Sequence, residues 1–328
     1  MKSLIPSMTQ RGAFPAAALM VLLTMYLLFP FATGYEAERM TVWDNMRNGY
    51  SLDGGEWSFG YVVPWAVLVL FWLTRKRYAE VSIQPSWWGL AILVFGCFLY
   101  FAGYKTNEKY IAYVSGQVLV AGAVFWFLGK AWFQRLFWLW VLFGMTWPLG
   151  PLFEEVSFAL QKGLAASTEW VLRTLGEGVE RIGTSVFSAA TETMERGERF
   201  SLKVAAACAG LRSLFALIMI SIAYAYLILK KDWHRWVLVA SAVPLAVLGN
   251  LVRMMLLYVG TITMGSEFAI GKGELDPSAY HILAGLMVFI VALSGMVAFA
   301  GLLEKKGRWW KRSKAQIRRS TAQEGGAA

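Results

Sequence analysis

Charge is scarce in this sequence. Asp, Glu, Lys and Arg make up 16% of its 328 residues, against about a quarter in an ordinary soluble domain. Cysteine and histidine are scarcer still, with two of each. Two cysteines cannot build a disulfide framework or a cysteine-based zinc cluster, and two histidines leave little room for a histidine-rich metal site. What is abundant is apolar. Hydrophobic residues reach 57%, with 16 Trp, 13 Tyr and 21 Phe, and the mean hydropathy is +0.50. This balance excludes a disordered chain, a disulfide-stapled secreted domain and a typical cytosolic enzyme. It points to an all-α polytopic membrane protein.

Apolar stretches predict about eight spans, at 14–33, 61–74, 87–104, 111–129, 136–152, 208–229, 236–260 and 281–303. Most approach the ~20 residues that a bilayer requires. The first has a basic start (Lys2, Arg11) but no clean cleavage site, so it reads as a retained anchor. The stretch 156–175 differs: Gln161, Lys162, Glu169 and Arg173 interrupt apolar residues at helical spacing. It predicts an interfacial amphipathic helix. The loop 153–207, punctuated by Gly176, Gly178, Gly183 and Gly197, predicts a small extracytoplasmic cap with some strand character. The chain as a whole, 1–328, reads as a single integral membrane domain without an internal repeat.

The net charge of +10 has a side. Segments 1–13, 75–86, 130–135, 230–235 and 304–328 hold 18 Lys/Arg and 4 acids; the rest of the chain holds 13 Lys/Arg and 17 acids. The basic side is cytoplasmic by the positive-inside rule, so both termini are expected there. The tail 304–328 reads as a basic anchor touching anionic lipid, not a nucleic-acid site.

Polar groups inside spans need a reason. Cys208 opens the sixth predicted span, with Arg212 one turn away and Ser213 beside it. Arg253 lies within the seventh, with Asn250 three residues earlier on the same face, and His281 opens the eighth. Taken singly, Cys208 reads as a packing residue, Arg253 as a snorkelling one and His281 as interfacial. With alternate span directions, all three fall in the outer half of the membrane on consecutive helices. A thiol acts as its thiolate, which neighbouring cations favour. Cysteine with histidine is the minimum set for acyl transfer, and a buried arginine can hold an oxyanion. Cys97, in AILVFGCFLYF with no polar neighbour, is expected in the core.

At these residues the sequence resembles the exosortase/archaeosortase family of membrane cysteine enzymes, which process proteins bearing a C-terminal tripartite sorting signal. The pieces that carry the resemblance are AACAGLRSL at 206–214, GNLVRMMLL at 249–257 and YHILAG at 280–285. WSFGYVVP at 57–64 resembles an early family segment, with Phe59 where many relatives have His. The cysteine motif reads Cys-Ala-Gly where Cys-Ser-Gly is common. The resemblance implies that Cys208, Arg253 and His281 are catalytic and that Gly210, Arg212, Ser213 and Asn250 support them. It implies cleavage through a thioester, no metal or organic cofactor, exported proteins with a C-terminal signal (PEP-CTERM-like) as partners, and a cell-membrane location with the active site outside. The alternative is a non-enzymatic transporter or an assembly scaffold for surface polymers, in which Arg253, Asn250 and His281 would bind substrate and Cys208 would be incidental. Oligomeric state, recognised motif and acceptor are left open by the sequence.

Overall fold

A helix that crosses a bilayer hides its apolar residues from water without needing to bury them in protein. Small residues are then left to mark the protein-facing side. The computed structural model follows this rule. It describes residues 17, 20–22, 24–31, 40–51, 57–149, 153–203, 211–273 and 276–324. The chain divides into two compact units, Met1–Gly150 and Pro151–Ala328.

In the first unit, the described helices are α1 (Val42–Tyr50), α2 (Val63–Leu73), α3 (Trp88–Thr106), α4 (Lys109–Phe127) and α5 (Lys130–Phe143). The buried residues of α3 are Gly89, Gly96, Tyr100 and Gly103. A methyl group at Gly96 would stand 2.7 Å from Leu119 of α4, and one at Gly122 would stand 2.9 Å from the backbone of Leu93. The two helices therefore meet along glycine. Their hairpin turns at Asn107, which adopts φ 63 and ends α3. Cys97 corrects the expectation of a core position. It is exposed, on a surface shared with Val94, Phe98 and Phe101. Hydropathy predicts burial in water but not in lipid, so an apolar run does not mark the interior here. Gln117 and Tyr50 are polar groups inside the unit that find partners. Gln117 accepts from Trp147 Nε1 (2.9 Å) and donates to the Trp140 carbonyl (2.6 Å). Tyr50 donates to the Thr146 carbonyl, and burial pushes its hydroxyl well above the usual tyrosine pKa. Gly60, in the 57–64 segment, lies against the Tyr50 ring.

In the second unit, α6 (Glu154–Thr174) leads into three strands, β1 (Val179–Ile182), β2 (Ser185–Ser188) and β3 (Ser201–Lys203), which form an antiparallel sheet in the order β1-β2-β3. A helix and three short strands thus occupy the stretch where the sequence predicts an amphipathic helix and some strand character. Then come α7 (Leu211–Ile228), α8 (Asp232–Ala240) and α9 (Ala242–Met264), a single turn at Ser266–Ala269, the ribbon β4 (Gly271–Gly273) and β5 (Asp276–Pro277), and α10 (Ala279–Glu324). Leu164, Ala165 and Leu172 of α6, Val179, Val186, Phe200 and Leu202 of the sheet region, Met254, Leu257 and Tyr258 of α9, and Ala284 of α10 make one core.

Among the described residues, four helical segments are long and apolar enough to cross a membrane: Trp88–Thr106, Lys109–Phe127, Asp232–Met264 and Ala279–Glu304. They correspond to the third, fourth, seventh and eighth predicted spans. Val63–Leu73 and Ser213–Ile228 are shorter apolar helices at the second and sixth. The fifth is reduced to α5, and much of the first lies outside the described residues. The protein is a mostly helical polytopic membrane protein.

Candidate active site

The start of α10 fixes the histidine. Ser278 caps this helix: its Oγ accepts from the His281 backbone N–H at 3.0 Å and donates to the Ala269 carbonyl at 3.1 Å. Tyr280 Oη donates to the Leu256 carbonyl of α9 at 2.7 Å, tying the first turn of α10 to its neighbour. Close packing of the pair follows from glycine. A methyl group at Gly249 would meet the Val288 carbonyl at 2.8 Å, and one at Gly260 would meet the Tyr280 ring at 2.6 Å. Between these contacts, one turn beyond His281, Gly285 leaves room for a guanidinium, with its would-be Cβ 3.7 Å from Arg253 Cζ.

Arg253 occupies that room. Its Nη2 lies 2.7 Å from His281 Nε2, and both side chains are half-buried. An arginine is donor-only, so His281 Nε2 must accept. The ring is then neutral, with its proton on Nδ1. Two of the remaining donors, Arg253 Nε and His281 Nδ1, are buried and without a hydrogen-bond partner among the described residues. Buried donors without an acceptor cost about 1–3 kcal/mol each, so the site suits a ligand atom that carries negative charge. The half-burial of the pair strengthens such an interaction over its value in water.

The other predicted residues divide. Asn250 is buried, and its Nδ2 donates to the Ala246 carbonyl of its own helix at 2.9 Å. It lines a small apolar crevice with Leu160, Leu164, Leu214, Val243 and Val247. Ser213 is half-buried near the start of the described part of α7. Cys208 and Gly210 lie outside the described residues, as does the side chain of Arg212. Among the described residues no group of three or more His, Cys, Asp and Glu side chains is placed to hold a metal ion.

Sequence reasoning missed a second polar cluster one and a half turns along α9. Tyr258 Oη donates to Glu177 Oε1 at 2.5 Å, and Arg199 grips the same carboxylate through both oxygens, at 2.6 and 3.1 Å. The Phe200 ring stands edge-on to Tyr258 at 5.2 Å. Glu177 and Tyr258 are 81 positions apart, and no local pattern announces the pair. Gly285 was within reach, because it stands four residues after His281 on the same helical face.

No curated protein and no solved structure matches the chain. A family model described as transmembrane exosortase matches residues 51–298, well over half of the chain and a stretch that includes Arg253 and His281, and the chain therefore belongs to the transmembrane exosortase family.

Proposed function

We propose that this protein is a membrane-embedded cysteine protease/transpeptidase that cleaves the C-terminal sorting signal of exported proteins, with Cys208 as nucleophile. Family membership points to a transmembrane protein that processes sorting signals. The contact between Arg253 and His281 carries the finer reading. It joins a proton-transfer group to a fixed cation, and it leaves two donors turned to an acceptor that the described residues do not supply. The packing of α7, which follows Cys208 in the chain, against the helices that carry Arg253 and His281 supports Cys208 as the nucleophile. Ser221 of α7 reaches Met296 of α10 at 3.1 Å, and Leu214 shares a core with Ala246 and Ala292.

The chemistry then runs in a definite order. Nε2 of His281 is occupied by Arg253 and Nδ1 carries hydrogen, so the ring can take the thiol proton only as Arg253 moves off Nε2. The proton passes from Cys208 to the imidazole, and the sulfur attacks the scissile carbonyl carbon. The two cations repel, and the guanidinium is freed to hold the oxyanion. As the tetrahedral adduct collapses, the C–N bond breaks, and the imidazolium returns its proton to the leaving amine. The thioester passes its acyl group to water or to an envelope amine, restoring the thiol. The substrate is a protein ending in a short motif, an apolar helix and a basic tail, which enters from the bilayer with the motif at the outer face. The enzyme sits in the cell membrane, with the active site facing outward and both termini in the cytoplasm.

The test uses a reporter with such a tail, expressed beside the enzyme. Wild-type protein converts it to the shortened form, and Cys208→Ala leaves it at full length. Continued processing by Cys208→Ala would overturn the assignment and favour a scaffold or transporter.

A further inference from the structure

Glu177 has no place in the chemistry just described, yet three groups converge on it. Arg199 takes both carboxylate oxygens, and Tyr258 takes one of them from α9. Its side chain is 18% exposed, so the ion pair is sheltered in part from solvent and salt. The other ion pairs around the sheet are different in kind. Arg173 and Arg181 both reach Glu169 of α6, and Arg196 lies 3.8 Å from Glu180 within the cap. Those contacts hold the cap to itself and to α6. Unlike these pairs, the Glu177 cluster also engages α9, through Tyr258.

What it fixes is the end of the cap that precedes α7 in the chain. Arg199 immediately precedes Phe200, and Phe200 and Leu202 are buried against Met254, Leu257 and Tyr258. β3 is thereby pinned to α9 a turn beyond Arg253. Cys208 follows Lys203, the end of β3, by five residues, and α7 is described from Leu211. Leu214 packs beside Ala246 and lines a crevice with Asn250, so the described start of α7 also lies near the Arg253 level of α9. The two ends of a short connection are thus both anchored on one stretch of one helix.

We propose that Glu177 is a positioning residue: with Arg199 and Tyr258 it latches the strand that leads to Cys208 onto α9 and so sets the thiol against Arg253 and His281. This inference rests on the reading of Cys208 as nucleophile. The latch is polar where the rest of the contact is apolar, so it fixes a register that hydrophobic packing alone leaves free to slide.

The test measures Cys208 itself. In the full-length protein carrying Cys97→Ser, in native membrane vesicles, the rate of Cys208 alkylation by iodoacetamide is compared among wild type, Glu177→Gln, Tyr258→Phe and Arg196→Gln, alongside reporter cleavage. Glu177→Gln and Tyr258→Phe are expected to slow cleavage by about tenfold, the order expected for a small misplacement of a reacting group. They are also expected to change the alkylation rate several-fold, with membrane levels unchanged. Arg196→Gln is expected to match wild type in both. Wild-type alkylation and cleavage in Glu177→Gln and Tyr258→Phe would overturn the latch. So would slower cleavage with unaltered alkylation, because it would place Glu177 outside the positioning of the thiol. Cleavage surviving Cys208→Ala in the same assay would instead remove the nucleophile assignment, and the latch with it.

Discussion

At the scale of single residues, the site depends on a donor-only side chain meeting a ring nitrogen. Arg253 Nη2 and His281 Nε2 are 2.7 Å apart, and Arg253 Nε is left over for a second partner. Lysine carries the charge but not the fork. Arg253→Lys is therefore expected to keep the fold and lose about a hundredfold or more in reporter cleavage, the scale of removing an oxyanion donor. Cleavage near the wild-type rate would show that charge alone suffices. Gly285 gives a second, steric test. Its would-be Cβ has ordinary contact with Arg253, so Gly285→Ala is expected to be tolerated, whereas Gly285→Leu drives a branched side chain into the guanidinium and lowers cleavage sharply. Equal activity of the two variants would show that Arg253 does not need this room. The arginine and histidine were legible in the sequence because a charge and an imidazole at matching depth in adjacent spans are costly. The direction of Asn250 was not legible. Three-residue spacing placed it on the face of Arg253, but a buried amide can bond the second lone pair of a carbonyl one turn back in its own helix.

At the scale of elements, the pairing of α9 with α10 positions the site, and glycine permits it. The Val288 carbonyl stands 2.8 Å from where a Gly249 side chain would begin, and backbone cannot step aside as a flexible side chain can. Gly249→Leu is expected to destabilise the second unit by about 1–3 kcal/mol, the usual range for overpacking. A drop in thermal unfolding temperature in detergent, with lower cleavage, checks this; an unchanged transition would show that the helices are not in contact there. Hydropathy found the long helices, since four described segments coincide with predicted spans. It did not find which side of a helix faces protein. Cys97 and its apolar neighbours lie outward while Gly96 and Gly103 lie inward, because lipid accepts what water rejects. The three short strands were foreshadowed by glycines that punctuate the loop, but their attachment to α9 rests on contacts distant in sequence that no single segment reveals.

For the molecule as a whole, the distribution of charge gives an expected direction in the membrane. Lys/Arg runs at 75–77, 230–235 and 305–312 are expected in the cytoplasm, and the 153–207 cap outside. A reporter enzyme active only after export, fused after Ala189, is expected to be active, and one fused after Lys231 inactive; the same result at both positions would refute the orientation. The central claim is narrower than topology. It holds that the sulfur of Cys208, the guanidinium of Arg253 on α9 and the imidazole of His281 on α10 share one site at the outer membrane face. The measurement that meets it most directly is the distance from Cys208 Sγ to the nearest nitrogens of His281 and Arg253, by cryo-electron microscopy of the protein in lipid nanodiscs. The account predicts a separation under about 5 Å, allowing for the looseness of catalytic hydrogen bonds before substrate binds. A sulfur more than about 12 Å from both partners would contradict it, since no proton could pass between groups so far apart.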